Sequence, residues 1–127
     1  MKKSGSPLAQ ARGLGSAKAG LEHWKAQRLT AIAMIPLMLW FVSSLISLTG
    51  AGHADVVAWF AAPFNAIGSV LLLGTMFYHA NLGLQVVVED YVHHEGAKIT
   101  LLVAIRFLAL VLGAATIFAV LKMAFAG

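Results

Sequence analysis

Apolar residues fill three long stretches of this chain, and short polar segments separate them. The first stretch, 29–48, has 20 consecutive uncharged residues, which is enough for one helix to cross a membrane. The second, 56–88, runs for 33 residues without Lys, Arg, Asp or Glu, which is too long for one untilted span. The third, 98–125, carries only three charged residues. The pattern predicts an all-α integral membrane protein with three transmembrane helices.

A proline divides the long second stretch. Pro63 suits the first turn of a new helix, so we expect a short interfacial helix over 56–62, before the second span begins. The three predicted spans are then about 29–49, 63–91 and 98–122. Gly96, in the loop after the second span, is a suitable residue to end that helix.

Composition agrees with a membrane protein of one compact unit. Of the 127 residues, 60% are hydrophobic and 11% are charged, which is more apolar surface than a soluble domain of this size can bury. We interpret residues 1–20 as a polar N-terminal arm and 21–127 as the three-helix anchor. There is no cysteine, which excludes disulfides and iron–sulfur ligation. The basic pI comes mostly from the N-terminal arm, so it does not indicate nucleic-acid binding.

The basic residues also predict the orientation. Six Lys and Arg residues precede the first span, none lies in the loop 49–55, and Lys98 follows the second span. The positive-inside rule then places the N-terminus in the cytoplasm and the C-terminus outside. The pair Asp90-Tyr91 would lie at the cytoplasmic face.

His79 is the one Asp, Glu, His, Lys or Arg residue deep within the second predicted span. At ~1.5 Å per residue it lies ~18 Å from Tyr91, and an ionisable residue at such depth is a candidate functional site. Three interpretations stay open: a neutral histidine bonded to a neighbouring helix, a proton relay, and an axial ligand of haem iron. A relay has no other Asp, Glu or His at that level. Gly83, one turn further on, would leave room for a flat macrocycle, which favours haem.

A haem with two axial ligands needs a second residue. His23, His93 and His94 lie near the predicted cytoplasmic boundary and His53 at the opposite one, so none shares the level of His79. Spacing alone leaves the methionines open. The simplest interpretation is that the second ligand comes from a different chain.

Asp90 and Tyr91 end the helix that carries the histidine. Tyrosine is common at membrane interfaces, so the pair can serve as an anchor. In the alternative interpretation, the phenol donates a hydrogen bond to a carbonyl of a lipid-soluble substrate such as a quinone. Asp90 would then assist proton delivery, because quinone reduction consumes protons.

Several other polar and aromatic residues have simpler interpretations. Arg28, at the start of the first span, is either a snorkelling arginine or a clamp for a haem propionate. Arg106 is a similar candidate whose direction around its helix is unknown. His93 and His94 are expected to be a solvated loop pair. The tryptophans, Trp24, Trp40 and Trp59, are expected to be packing or membrane-interface residues.

Two segments resemble a known family. The lead-in G-x-x-H-W-x-x-Q-R-L-T-A, from Gly20 to Ala31, is similar to the small hydrophobic membrane-anchor subunit of succinate dehydrogenase, respiratory Complex II, in its bacterial form. The second span resembles the same family through His79, Gly83 and the pair Asp90-Tyr91. The signature of the companion cytochrome b anchor subunit does not appear in the sequence.

The resemblance implies an anchor subunit, without catalytic residues of its own, in a four-subunit succinate:quinone oxidoreductase of the respiratory chain and tricarboxylic acid cycle. Its partners would be a flavoprotein, an iron–sulfur subunit, the cytochrome b anchor subunit and membrane lipid. Haem b would lie between the two anchors, with His79 as the metal ligand from this chain and Arg28 near the propionates. Electrons would pass from the iron–sulfur subunit to ubiquinone beside Tyr91 and Asp90. The implied location is the bacterial inner membrane.

Two alternatives belong to other functional classes. A small proton-coupled transporter usually places a carboxylate in mid-membrane, whereas every acid here lies near a predicted interface. A haem-free structural anchor would tolerate the loss of both His79 and the Tyr91 hydroxyl.

Overall fold

The computed structural model describes residues 14–126 of the chain and contains four helices within them. They are α1 (Leu14–Ser47), α2 (His53–Ala61), α3 (Pro63–Tyr91) and α4 (Glu95–Ala126). Three helical segments are long and apolar enough to cross a membrane: Gly20–Ser47, Pro63–Tyr91 and Glu95–Phe125. The all-α membrane fold predicted from the apolar stretches is confirmed.

The first helix begins earlier than the sequence pattern indicates. We expected residues 1–20 to be a polar arm, but 14–20 are already helical and continue into the first span without a break. Extending an existing helix is easier than nucleating one, so the segment can be helical despite its two glycines. Residues 1–13 of the predicted arm lie outside the described part of the chain.

The break between α2 and α3 falls at the predicted proline. Ala62 is extended, with φ −65° and ψ 127°, and Pro63 opens α3. A residue before proline is driven out of the helical region by a clash with the proline ring, so the helix must end there. The Asn65 amide donates a hydrogen bond to the carbonyl of Trp59 at 3.0 Å and holds the two helices at this corner.

The turn from α3 to α4 differs from the prediction in two residues. Gly96 does not end α3; it lies in the first turn of α4, while α3 ends at Tyr91. His94 is exposed, as expected of a loop residue, but its Nδ1 also accepts a hydrogen bond from the Ala97 backbone N–H at 3.0 Å. That contact caps the N-terminus of α4. A Cβ at Gly96 would lie 3.1 Å from the His94 ring, so a glycine there makes room for the cap.

The helix α3 lies at the centre of the fold. It packs against both α1 and α4, whereas α1 and α4 make no close backbone contact with each other over residues 14–126. The buried side chains are few and belong to α3 and α4: Ala66, Ser69, Leu72, Leu82, Val88 and Val120. Most large apolar side chains of α1 and α4 are exposed. Apolar surface of this extent requires lipid or partner subunits to cover it.

Aromatic rings fix the short helix α2 against the neighbouring ends of α1 and α3. The rings of Trp40 and Trp59 stack with centroids 5.5 Å apart. Phe60 meets the Trp59 ring edge-on at 4.8 Å, and Phe64 meets the Trp40 ring edge-on at 5.9 Å. Such pairs contribute about 0.5–1.5 kcal/mol each beyond the area they bury. The interpretation of Trp40 and Trp59 as packing residues is therefore supported by direct contacts, and the interfacial position of α2 stays a prediction.

Gly68 should be the glycine of α3 that is least tolerant of substitution. A Cβ there would lie 2.6 Å from Cη2 of Trp40, whose indole is itself held by the Trp59 and Phe64 rings. Gly68→Ala should destabilise the fold by about 1–3 kcal/mol, because the overpacked indole cannot move freely. The melting temperature of the purified protein in its complex measures this loss.

Gly74→Ala is the matched control on the same helix, since a Cβ at Gly74 meets nothing within 4 Å. Its melting temperature should stay close to that of the unaltered protein. Equal losses in the two variants would contradict the packing explanation.

Candidate functional site

His79 lies on α3 where this helix faces α1. Its side chain is partly buried, and its Nδ1 atom lies 2.9 Å from the hydroxyl oxygen of Thr30 on α1. These two residues are 49 positions apart in the sequence. Among the residues whose side chains the structure describes, Thr30 and His79 form the one side-chain hydrogen bond between two different spans.

The surroundings of Thr30 indicate which ring nitrogen of His79 carries the proton. The Thr30 hydroxyl lies 2.8 Å from the Ala26 carbonyl and 3.0 Å from the Gln27 carbonyl, both on its own helix. A hydroxyl has a single proton, and carbonyl oxygens can only accept it. With that proton given to a carbonyl, the hydroxyl oxygen accepts a hydrogen bond from Nδ1–H of His79. This assignment of the proton follows from the hydrogen-bond network.

The consequence for chemistry concerns the other ring nitrogen. A neutral imidazole that carries its proton on Nδ1 has a lone pair on Nε2. Histidines that bind metals commonly donate the opposite N–H to a fixed acceptor, which sets both tautomer and ring orientation. The Thr30–His79 pair has this arrangement, so the residues present fit one axial ligand of a haem iron.

Gly83 lies beside a side chain of α1. A Cβ at Gly83 would meet Nε2 of Gln27 at 3.8 Å, an ordinary contact with a side chain of α1. Leu82, on the same side of α3, is buried. The side of α3 that carries His79 therefore faces α1 at this level, and the room for a macrocycle at Gly83 stays a prediction.

Asp90 and Tyr91 lie at the exposed end of α3. Tyr91 is 76% exposed and is the last residue of the helix. At ~1.5 Å per residue the pair lies ~17–18 Å along the helix from His79. The structure therefore keeps these residues together but does not bring them into contact with His79. An exposed phenol is available to a substrate or to a partner subunit.

Arg28 lies at nearly the same level as Thr30 but on another side of α1. Two residues along a helix correspond to a rotation of about 200°, so Arg28 points away from the side of α1 that contacts His79. Its guanidinium lies over the Trp24 ring, 5.4 Å from the centroid, in a cation–π contact. Within this chain the structure does not bring Arg28 and His79 together, and the propionate contact stays a prediction.

Sequence reasoning missed the role of Thr30. Thr30 belongs to the lead-in motif, but nothing in the sequence indicated that its hydroxyl contacts His79. A periodic signal was present, since His23, Gln27 and Thr30 recur at helical spacing on one side of α1. No group of three or more His, Cys, Asp or Glu side chains that could hold a metal ion occurs in the described part of the chain. A haem does not require such a group, because the porphyrin nitrogens bind the iron.

These features define a class of protein: a three-span helical membrane subunit with one partly buried, hydrogen-bonded histidine between two of its spans. The chain belongs to the family of succinate dehydrogenase/fumarate reductase transmembrane subunits, whose model matches residues 2–120. The family predicted from the lead-in motif and the second span is confirmed.

Individual relatives match over most of their length. The succinate dehydrogenase hydrophobic membrane anchor subunit of Rickettsia bellii is 33% identical over 114 residues, which cover 89% of this chain and 90% of the relative. The subunit of the same name from Paracoccus denitrificans is 27% identical over 118 residues, with 93% and 91% covered. The succinate dehydrogenase membrane anchor subunit of Reclinomonas americana is 29% identical over 96 residues, with 73% and 80% covered.

Proposed function

We propose that this chain anchors a succinate dehydrogenase in the membrane, supplies one axial ligand of haem b and forms part of the ubiquinone-reduction site. The anchoring role is supported by membership of the transmembrane subunit family and by the relatives named as membrane anchors. The observation that carries the haem proposal is the 2.9 Å contact between Thr30 and His79. It supports a tautomer with a free lone pair on Nε2.

His79 would hold the haem together with a ligand from the cytochrome b anchor subunit. Haem b, when bound, supplies a one-electron centre close to the path from the iron–sulfur subunit to quinone. Thr30 keeps the proton of His79 on Nδ1 and restricts rotation of the ring. Arg28 is the proposed contact for a propionate, which a guanidinium can bind with two parallel hydrogen bonds.

Tyr91 and Asp90 would form this chain's part of the quinone site. The exposed phenol donates a hydrogen bond to a quinone carbonyl, and this bond polarises the carbonyl as electrons arrive. Asp90, the preceding residue, accepts and returns protons at the membrane surface. The exposed end of α3 supports this role, because a substrate from the membrane can reach the phenol without moving a helix.

The remaining parts of the assembly follow from the same proposal. The flavoprotein and the iron–sulfur subunit would bind at the cytoplasmic face, near the loop 92–94 that follows Tyr91. The chain would lie in the bacterial inner membrane with its N-terminus in the cytoplasm and its C-terminus in the periplasm, as the basic residues indicate. No contact in the structure favours the proton-coupled transporter, since the described hydrogen-bond partner of His79 is a hydroxyl that does not titrate.

His79→Ala should abolish the b-type signal of the purified complex, because it removes one axial ligand. The measurement is a reduced-minus-oxidised absorbance spectrum, with subunit stoichiometry determined on the same sample. His53→Ala is the control, since His53 is exposed in α2 at the far end of the fold. A full b-type signal in the His79 variant would contradict the haem proposal.

Thr30→Val should loosen the haem while leaving its ligand in place. Losing an outer partner of a metal ligand typically costs about 10- to 100-fold in metal affinity, so the haem-to-protein ratio should fall under mild dialysis and the midpoint potential should shift. Thr30→Ser should restore both values, since it returns the hydroxyl.

Thr116→Val is the matched control, because the Thr116 hydroxyl lies 2.9 Å from the Leu112 carbonyl of its own helix, as the Thr30 hydroxyl does at Ala26, but contacts no histidine. Equal haem retention and equal potentials in the Thr30 and Thr116 variants would argue against a positioning role for Thr30.

Tyr91→Phe should slow quinone reduction by about tenfold, the effect of losing one hydrogen bond to the reacting carbonyl. Succinate oxidation with a soluble dye should be unchanged, because the dye bypasses the membrane site. Tyr78→Phe is the control, since Tyr78 is the other tyrosine of the chain and lies on a different side of α3. The proposal fails if both phenylalanine variants reduce quinone at the parental rate.

A further inference from the structure

Arg106 is a cation in the middle part of a membrane span. It is exposed on α4, eleven residues after Glu95, or ~16 Å along the helix at ~1.5 Å per residue, which is about half of a ~30 Å hydrocarbon core. It lines two cavities together with Asn81, which is two residues from His79 on α3, so Arg106 lies near the level of that histidine. Among the side chains that the structure describes, the one ion pair joins Lys98 to Glu95 at 3.8 Å. A charge at the level of Arg106 is costly unless an opposite charge reaches it.

Further polar side chains lie beside Arg106 at the surface between α3 and α4. The Asn81 amide lines both cavities, and the Gln85 amide lines one of them. The Tyr78 phenol lines the other cavity and is 51% exposed. Polar side chains that face outwards within a membrane hydrogen-bond to neighbouring helices, because hydrocarbon offers no partner. The chain therefore presents a polar surface at a depth where lipid tails cannot satisfy it.

The surface beside these polar groups leaves room for the backbone of another helix. Gly74 and Ala109 line the same cavity as Arg106, and a Cβ at Gly74 would meet nothing within 4 Å. Small residues let two transmembrane helices approach closely. Leu110, also in the lining, is 62% exposed and needs a cover. We call this surface the Arg106 face and define it by Gly74, Tyr78, Asn81, Arg106, Ala109 and Leu110.

The opposite charge for Arg106 does not come from this chain or from a second copy of it. The chain has five acidic residues, and each lies near a predicted membrane interface. On α3 the acid nearest to the level of Arg106 is Glu89, eight residues or ~12 Å along the helix from Asn81. A phospholipid phosphate stays at the membrane surface, and a quinone carries no charge. The remaining source is a carboxylate on a transmembrane helix of another chain.

We propose that the Arg106 face receives a transmembrane helix of another subunit of the complex, and that this helix presents an Asp or Glu side chain to Arg106. Guanidinium and carboxylate pair through two parallel, charge-assisted hydrogen bonds. The Asn81 amide donates a further hydrogen bond to the incoming helix, and Gly74 lets its backbone come close. The face lies on the α4 side of α3, whereas His79 contacts α1, so this interface is separate from the His79 site.

The test labels membrane-embedded carboxyl groups of the purified complex in nanodiscs with dicyclohexylcarbodiimide, which modifies protonated carboxyls in hydrocarbon. In the unaltered complex the partner carboxylate is ionised by its pairing with Arg106 and should stay unlabelled. Arg106→Gln removes the opposite charge, which favours the protonated carboxyl by about tenfold or more. Peptide mass spectrometry should then find at least about tenfold more label at one Asp or Glu of another chain. Arg106→Lys should keep the labelling low.

Lys122→Gln is the matched control, because it removes one positive charge from α4 outside the two cavities. Its labelling should match that of the unaltered complex. Equal labelling of every carboxyl in Arg106→Gln and the unaltered complex would overturn the proposal. So would a new label confined to acidic residues of this chain, or the same new label in Lys122→Gln. The b-type spectrum of each sample reports on the His79 site, so this proposal and the haem proposal can fail separately.

A second experiment does not depend on assembly of the Arg106 variant. The photoreactive residue p-benzoylphenylalanine replaces Leu110 on the Arg106 face or, as the control, Leu108, which is equally exposed but lies about 200° away around α4. After irradiation of the complex, position 110 should cross-link to a peptide of another subunit, and position 108 should do so much less. Equal cross-linking to protein from both positions, or cross-linking of position 110 to lipid alone, would contradict the proposed helix interface.

Discussion

A polar group inside a hydrocarbon layer needs a hydrogen-bond partner, because no water is available to supply one. In this chain the constraint is met at His79 by Thr30, across the interface of two helices. Besides giving His79 a hydrogen-bond partner, the contact with Thr30 favours one tautomer of the imidazole. Because the Thr30 hydroxyl can donate its one proton to a carbonyl of its own helix, its oxygen can accept a hydrogen bond from Nδ1–H of His79, which leaves a lone pair on Nε2. The same bond joins α1 to α3 and restricts the orientation of the imidazole.

Because α3 lies between α1 and α4, its two sides have different neighbours. One side meets α1 and carries His79; the other meets α4 and carries Asn81, which lines a cavity between the two helices. Since α1 and α4 make no close backbone contact in the described part of the chain, α3 is not enclosed on all sides by this chain. Large ligands can therefore approach from outside the chain. This arrangement suits a membrane subunit of a larger complex, surrounded by other chains and lipid.

Glycine and proline determine much of how the helices fit. Pro63 ends one helix and begins another because the residue before it cannot stay helical. Gly68 lets the Trp40 indole lie against α3, and the aromatic rings that follow hold α2 in place. These contacts concentrate stability at the end of the fold opposite Asp90 and Tyr91. The end with the proposed quinone site carries the exposed side chains of Asp90 and Tyr91.

The sequence by itself determined the number of spans, the break at Pro63 and the family. Each of these depends on the local character of the chain: the length of uncharged segments, the geometry of proline, and short motifs. It did not determine which residues meet across helices. Gly83 shares a side of α3 with His79, but helical periodicity cannot say that α1 faces that side. Thr30 and His79 are far apart in sequence, and the pairing of two antiparallel helices fixes their register only in three dimensions. The role of His94 as a cap likewise depends on how neighbouring segments meet, and that was decided by the three-dimensional structure alone.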